Sequence, residues 1–215
     1  DFPEAVFTNL GLLYLSHINP PIPTVYADLP AIPWRRESDG VSFERELPNG
    51  VAFGGRVSSA GPSAVDLELY IRNGAAEPLT DITLQTCAFL RAIREFGDYS
   101  QSNKFVHVAD GGWIGLADAL QRDDGTAPYR VGWRRSGRRV ADLPVADAVS
   151  NKADRLLAMS WGEHTLSMVG KPNHPCIHAD PYFADLAPQE TGRIRGRIVF
   201  FEGPLAEFGP EDHFS

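Results

Sequence analysis

The stretch "AVDLELYIRNG", Ala64 to Gly74, decides the fold. In it Val65, Leu67, Leu69 and Ile71 alternate with Asp66, Glu68, Tyr70 and Arg72. Successive side chains of a strand point to opposite faces, so this period of two gathers the aliphatic set on one face and the polar set on the other. The spacing predicts a half-buried strand of an antiparallel sheet. "NGAAEPLT" then supplies Gly and Pro turn chemistry. The following "DITLQTCAFL" predicts a second strand, with Ile82 and Leu84 toward the core and Gln85, Cys87 and Phe89 on the other face.

Working outward, further strands are expected at "KFVHVA", "GWIGLA", "YRVGW", "RLLAMSW", "HTLSMVG" and "GRIRGRIVFFEG". In the last, Ile194, Ile198 and Phe200 share one face and Arg193, Arg195 and Arg197 the opposite one. Helix is scarce: "CAFLRAIREF" could add a turn or two, and "VADAVSNKADRLL" could hold a short helix. Strands spaced by Gly and Pro turns predict an all-β chain, an antiparallel β-sandwich of jelly-roll-like kind, over residues 39–215. Residues 1–38 are proline-studded, as in "HINPPIPTVYADLPAIPW". Because proline fixes φ and lacks an N–H, the segment is expected to run extended over the outside of a single domain.

The net charge of −8 and pI near 5.2 exclude a nucleic-acid backbone or an anionic membrane as main partner. The local exception is "RVGWRRSGRR", with five arginines in ten residues, either a solvated hairpin or a site for an anionic substrate. No apolar run approaches the ~20 residues needed to span a bilayer. A soluble protein is expected, and a first residue of Asp1 leaves export open. Two cysteines, Cys87 and Cys176, do not make a disulfide scaffold but allow one pairing, and they are expected to approach each other or a common pocket.

Chemistry concentrates in "KPNHPCIHADPYF", Lys171 to Phe183. His174, Cys176, His178 and Asp180 sit at alternate positions, so an extended backbone would turn all four one way. Two readings stay open. One is a metal site, with His174, His178 and Asp180 as ligands of a divalent cation; the other is a rigid loop pinned by Pro172, Pro175 and Pro181. Glu202 shares parity with Ile198 and Phe200. If it faces inward, burial raises its pKa and suits it to acid–base work. In "SNKFVHVADGGW", Asn103 and Lys104 are candidate substrate contacts, joined by His107, Trp113 and, from the arginine-rich stretch, Arg134. Trp34, Trp113, Trp133 and Trp161 offer rings on which a sugar could stack. Nucleophile-elbow, Walker and dinucleotide glycine motifs are absent.

The segments "NGVAFGGRV", "LELYIRNGAAEPLTDITLQTC" and "NHPCIHADPYFADLAPQETGRIRGRIVFFEG" resemble a bacterial all-β family of uncharacterised function associated with polysaccharide-degrading gene neighbourhoods. The most specific shared feature is Pro-Cys-x-His-x-Asp-Pro, here Pro175 to Pro181, followed by a Phe-Glu-Gly strand end. The resemblance implies that His178, Asp180 and Glu202 belong to one site; it implies no reaction. The expectation is a carbohydrate-active enzyme, a lyase or a hydrolase, with His178, Asp180 and Glu202 catalytic and a divalent metal as the cofactor to look for. A non-catalytic carbohydrate-binding module is the alternative.

Overall fold

The alternation of Ala64–Arg72 is realised as an edge-free central strand. In the computed structural model, which describes residues 1–16, 23–122, 130–133, 140–171 and 173–214, this strand is β6 of a nine-stranded sheet. The sheet runs β10 (Gly112–Gly115), β9 (Lys104–Val108), β12 (Val145–Val149), β13 (Arg155–Ser160), β16 (Thr191–Glu202), β6, β5 (Ala52–Ser59), β4 (Gly40–Glu46), β3 (Arg35–Arg36). A four-stranded sheet runs β11 (Arg130–Gly132), β14 (Thr165–Val169), β15 (Cys176–Pro181), β8 (Cys87–Phe89). A three-stranded sheet runs β2 (Gly11–Leu15), β1 (Ala5–Thr8), β7 (Thr83–Gln85). Every strand pair is antiparallel. The protein is an all-β sandwich, as its strand patterns predict.

The main core draws on all three sheets: Leu67, Leu69, Ile71, Leu157 and Ile194 from the large one, Met168 and Ile177 from the second, Val6, Leu13 and Leu84 from the third. Trp161 is buried among them; its ring stacks on Phe2 at 6.1 Å and its Nε1 donates to Thr86 Oγ1 at 3.1 Å. Strand β16 passes so close to this indole that a Cβ on Gly196 would stand 2.7 Å from the ring, which explains a glycine inside an otherwise regular strand. A second apolar cluster lies on the opposite face of the large sheet. Val145, Val149, Leu156, Ala158 and Val199 form it, and Leu205, Phe208 and Phe214 of the C-terminal segment pack over it.

Four expectations need correction. First, residues 5–15 are not an extended surface segment: β1 is the middle strand of its sheet, with Val6 and Leu13 fully buried. The prolines that suggested otherwise begin at Pro20, apart from Pro3, so their restriction does not reach β1 or β2. Second, "VADAVSNKADRLL" holds no helix but the hairpin β12–β13. All five residues of β12 are buried because both faces of the sheet are covered there, which removes the alternation that marks a strand. The α-helix among the described residues is α1 (Leu116–Arg122), straight after β10. Third, "CIHADP" is a regular strand between β14 and β8 rather than a loop. Pro175 precedes it and Pro181 is its last residue, so the prolines bound the strand without removing an interior ladder bond. Fourth, Phe200 lies outside the core, 42% exposed. Its parity with Ile194 and Ile198 is real, but the opposing layer ends near Ile198.

Candidate functional site

The side-chain line along β15 begins from register. His174, Cys176, His178 and Asp180 share one face, while Ile177 and Ala179 enter the main core on the other. Strand β8 runs alongside with Cys87 opposite His178 and Phe89 opposite Cys176. Pleating therefore brings Cys87 to the same side as the β15 line. The ligating atoms of Cys87, Cys176 and His178 all lie within 4.8 Å of one another, and all three residues are buried. Both cysteines are free thiols, close together as expected but not bridged.

Neighbours fix the protonation of this cluster. His178 Nδ1 lies 3.3 Å from Asp180 Oδ1 and 3.7 Å from Glu4 Oε2. Asp180 is in turn held by the Thr86 backbone N–H at 3.1 Å and by Arg130 Nη2 at 3.2 Å. Burial disfavours a charge on His178, yet Asp180 and the Cys176 sulfur outweigh it and hold the imidazole's pKa up at about 10. A hydrogen bond from Cys87, helped by His178 and His174 and opposed by burial, holds the Cys176 thiol well below its ordinary range. The same bond, with burial, pushes Cys87 up. Toward solvent, His174 Nδ1 stands 2.8 Å from Cys176 Sγ and its ring stacks on the exposed Phe89 at 5.0 Å.

The expected metal set of His174, His178 and Asp180 is not the trio whose donor atoms lie closest together; that trio is Cys87, Cys176 and His178. Asp180 faces His178, the Thr86 backbone N–H and the Arg130 guanidinium. Glu202 is not brought to this line. It is exposed at the end of β16, paired in register with Arg155, and lines an open groove of about 790 Å³ with Ile93, Arg94 and Phe200. The inward reading of Glu202 fails for the same reason as that of Phe200.

Lys104 and Asn103 are also not open substrate contacts. Lys104 is 2% exposed, and its Nζ donates to the carbonyls of His174 (3.0 Å) and Lys171 (3.3 Å), pinning the segment that leads into β15. Burial holds its pKa down. Asn103 Nδ2 donates to the Val149 carbonyl at 3.1 Å. Arg134 and Pro172 lie outside the described residues.

His107 and Trp113 do come together, on the outer face of the large sheet. They are register partners across the β9–β10 hairpin, and the rings meet edge to face at 5.1 Å. His107 Nδ1 lies 2.7 Å from Asp142 Oδ1, with side chains 27% and 37% exposed. Phe208 of the C-terminal segment stands 6.1 Å from Trp113. This imidazole is oriented by a carboxylate and open to solvent, which the buried His178 is not. Sequence reasoning missed Asp142, which lies 35 positions from His107 in a segment without periodicity.

It also missed Asp147. This residue is fully buried at the centre of β12, facing the second apolar cluster, and neither carboxylate oxygen has a hydrogen-bond partner among the described residues. Burial alone holds its pKa well above the usual carboxylate range, because a charge there would be shut off from water and, among the described residues, would have no counter-ion.

No family model matches the sequence, and no curated protein does. Among solved structures the chain is similar to the Slr1438 protein from Synechocystis sp. PCC 6803, at 11% identity and a TM-score of 0.46, over 79% of this chain and 66% of that one. It is similar to the GalM/aldose epimerase homologue from C. elegans at 14% identity and a TM-score of 0.43, over 80% and 69% of the two chains. It is also similar to the GH36 α-galactosidase AgaB from Geobacillus stearothermophilus, at 12% identity and a TM-score of 0.48, over 93% of this chain but 30% of the galactosidase. Two of these three bear names from carbohydrate chemistry. The superpositions are too loose to carry substrate or mechanism to this chain. No helix among the described residues is long and apolar enough to cross a membrane.

Proposed function

We propose that the protein is a carbohydrate-active β-sandwich enzyme of the lyase kind, with His107 and Asp142 as its acid–base dyad and Trp113 as the ring against which a sugar packs. One observation carries the reading: the 2.7 Å His107–Asp142 pair, part-exposed, stands beside a tryptophan 5.1 Å away. Asp142 holds Nδ1 and leaves Nε2 to meet a substrate proton, which is the arrangement a general base requires. A proton on the carbon beside a uronate carboxyl becomes acidic enough for such a base once the charge of that carboxylate is neutralised. Its removal leaves an electron pair that forms a carbon–carbon double bond and expels the glycosidic oxygen, and the imidazolium returns a proton to that oxygen. A single imidazole with one orienting carboxylate favours this over hydrolysis, which places two carboxylates across the bond. The test is turnover on a panel of uronate-containing polysaccharides by wild type, His107→Gln and Trp113→Ala. His107→Gln should lower kcat by about 10²–10⁴-fold, and Trp113→Ala should chiefly raise KM. Binding without turnover by the wild type would favour the sugar-binding module instead.

A further inference from the structure

The β8–β15 face carries chemistry that the outer-face dyad does not use. We propose that Cys87, Cys176 and His178 form a binding site for a thiophilic d¹⁰ cation, zinc(II) or copper(I), with His174 closing the fourth position. The proposal is independent of the carbohydrate reading, because the two sites occupy different sheets.

Geometry is the first support. Metal–sulfur bonds near 2.3 Å and metal–nitrogen bonds near 2.0 Å set tetrahedral donor–donor separations of roughly 3.5–3.8 Å. Three donors already gathered within 4.8 Å can reach those separations through side-chain torsions alone. Their backbone is rigid: Cys87 and His178 are direct cross-strand partners, and Cys176 is one pleat along on the same face. The donor set is the second support. Two sulfurs and an imidazole select soft or borderline ions over magnesium or calcium, which require oxygen.

The outer partners are the third. Asp180 at 3.3 Å takes the Nδ1 side of His178 and leaves Nε2 for a metal, as a carboxylate behind a metal-binding histidine does. Asp180 is itself anchored by Thr86 and Arg130. His174 is the natural fourth ligand, since its Nδ1 already touches Cys176 Sγ at 2.8 Å. It stands at the solvent side, covered by Phe89, and its strand entry is fixed by Lys104. A site built this way has a buried three-donor floor and a mouth that one half-buried imidazole can close.

The experiment uses the full chain, reduced and stripped with a chelator, and titrated with cobalt(II) as a spectroscopic probe. One equivalent should produce thiolate-to-cobalt charge transfer and the intense visible bands of a tetrahedral ion, and zinc(II) should displace it. A parallel titration with copper(I) against a coloured copper(I) chelator decides which ion the site prefers. Cys87→Ser and Cys176→Ser should lose the charge-transfer band, and Asp180→Asn should weaken binding about 10–100-fold. Because a change at a fully buried cysteine can unfold the protein, wild-type thiol alkylation is measured as well, and zinc(II) should slow it at both cysteines. Absence of a cobalt spectrum, or alkylation rates indifferent to zinc(II), would overturn the proposal. So would a Cys87–Cys176 disulfide forming in air in protein that takes up no metal. A His174→Ala variant that binds as tightly as wild type would overturn the fourth position.

Discussion

Replacing Asp147 by Asn should make the protein more stable at neutral pH, against the usual sense of a core substitution. The carboxyl lies between Val145 and Val149 on its own strand, opposite Phe105 of β9 and Ala158 of β13, with no hydrogen-bond partner among the described residues. In the unfolded chain an aspartate ionises near pH 3.9. In the folded protein burial raises that pKa, so between the two values the native state binds a proton that the unfolded state has lost. Stability is then greatest below the unfolded pKa and falls as pH rises toward the folded one. The loss is about 1.4 kcal/mol for every pH unit across which the two states differ by one proton. Asparagine has nearly the same volume and cannot ionise. Wild type and Asp147→Asn should therefore differ least below the unfolded pKa, where the carboxyl is neutral in both folded and unfolded chains, and diverge as pH rises from there toward the folded pKa. Urea denaturation midpoints at one-unit intervals from pH 4 to pH 8 measure the divergence. Parallel stability curves would refute the reasoning, as would a wild type that gains on the variant as pH rises.

Leu69→Ala should cost about 2–5 kcal/mol, since Leu69 is fully buried in the main core; Glu68→Ala, on the opposite face with Arg193 and Arg195, should stay within about 0.5 kcal/mol in the same urea assay. Lys104→Met should leave the carbonyls of Lys171 and His174 without their donor, at a cost of about 1–3 kcal/mol, and should raise protease sensitivity at 171–174. Phe200→Ser, read as core by parity alone, should change the denaturation midpoint little, because the ring is 42% exposed.

The sequence was legible wherever one face of a strand is buried and the other wet. Along β6 that condition holds from Val65 to Arg72, and the aliphatic set falls on the core side as its period requires. It fails along β12, which is covered on both faces and carries Asp147 in its middle, so neither strand nor buried acid announces itself. Along β16 the parity is correct but the covering layer stops, a tertiary fact that alternation does not contain. The one-sided line of His174, Cys176, His178 and Asp180 was readable from spacing, and so was the approach of Cys87. The division of labour was not: Asp180 orients while the sulfurs cluster, and this depends on Thr86 and Arg130 far away in the chain. The pairing of Asp142 with His107 is likewise a product of the fold.

The outer-face dyad is tested most directly by following the double bond that elimination creates. Oligosaccharides of uronic acid are incubated with wild type and His107→Gln while ultraviolet absorbance reports the unsaturated product and calorimetry reports binding. Product should form with the wild type and about 10²–10⁴-fold more slowly with His107→Gln, at similar sugar affinity for both. Equal turnover by a folded His107→Gln variant would contradict it, and so would a wild type that binds no uronate oligosaccharide.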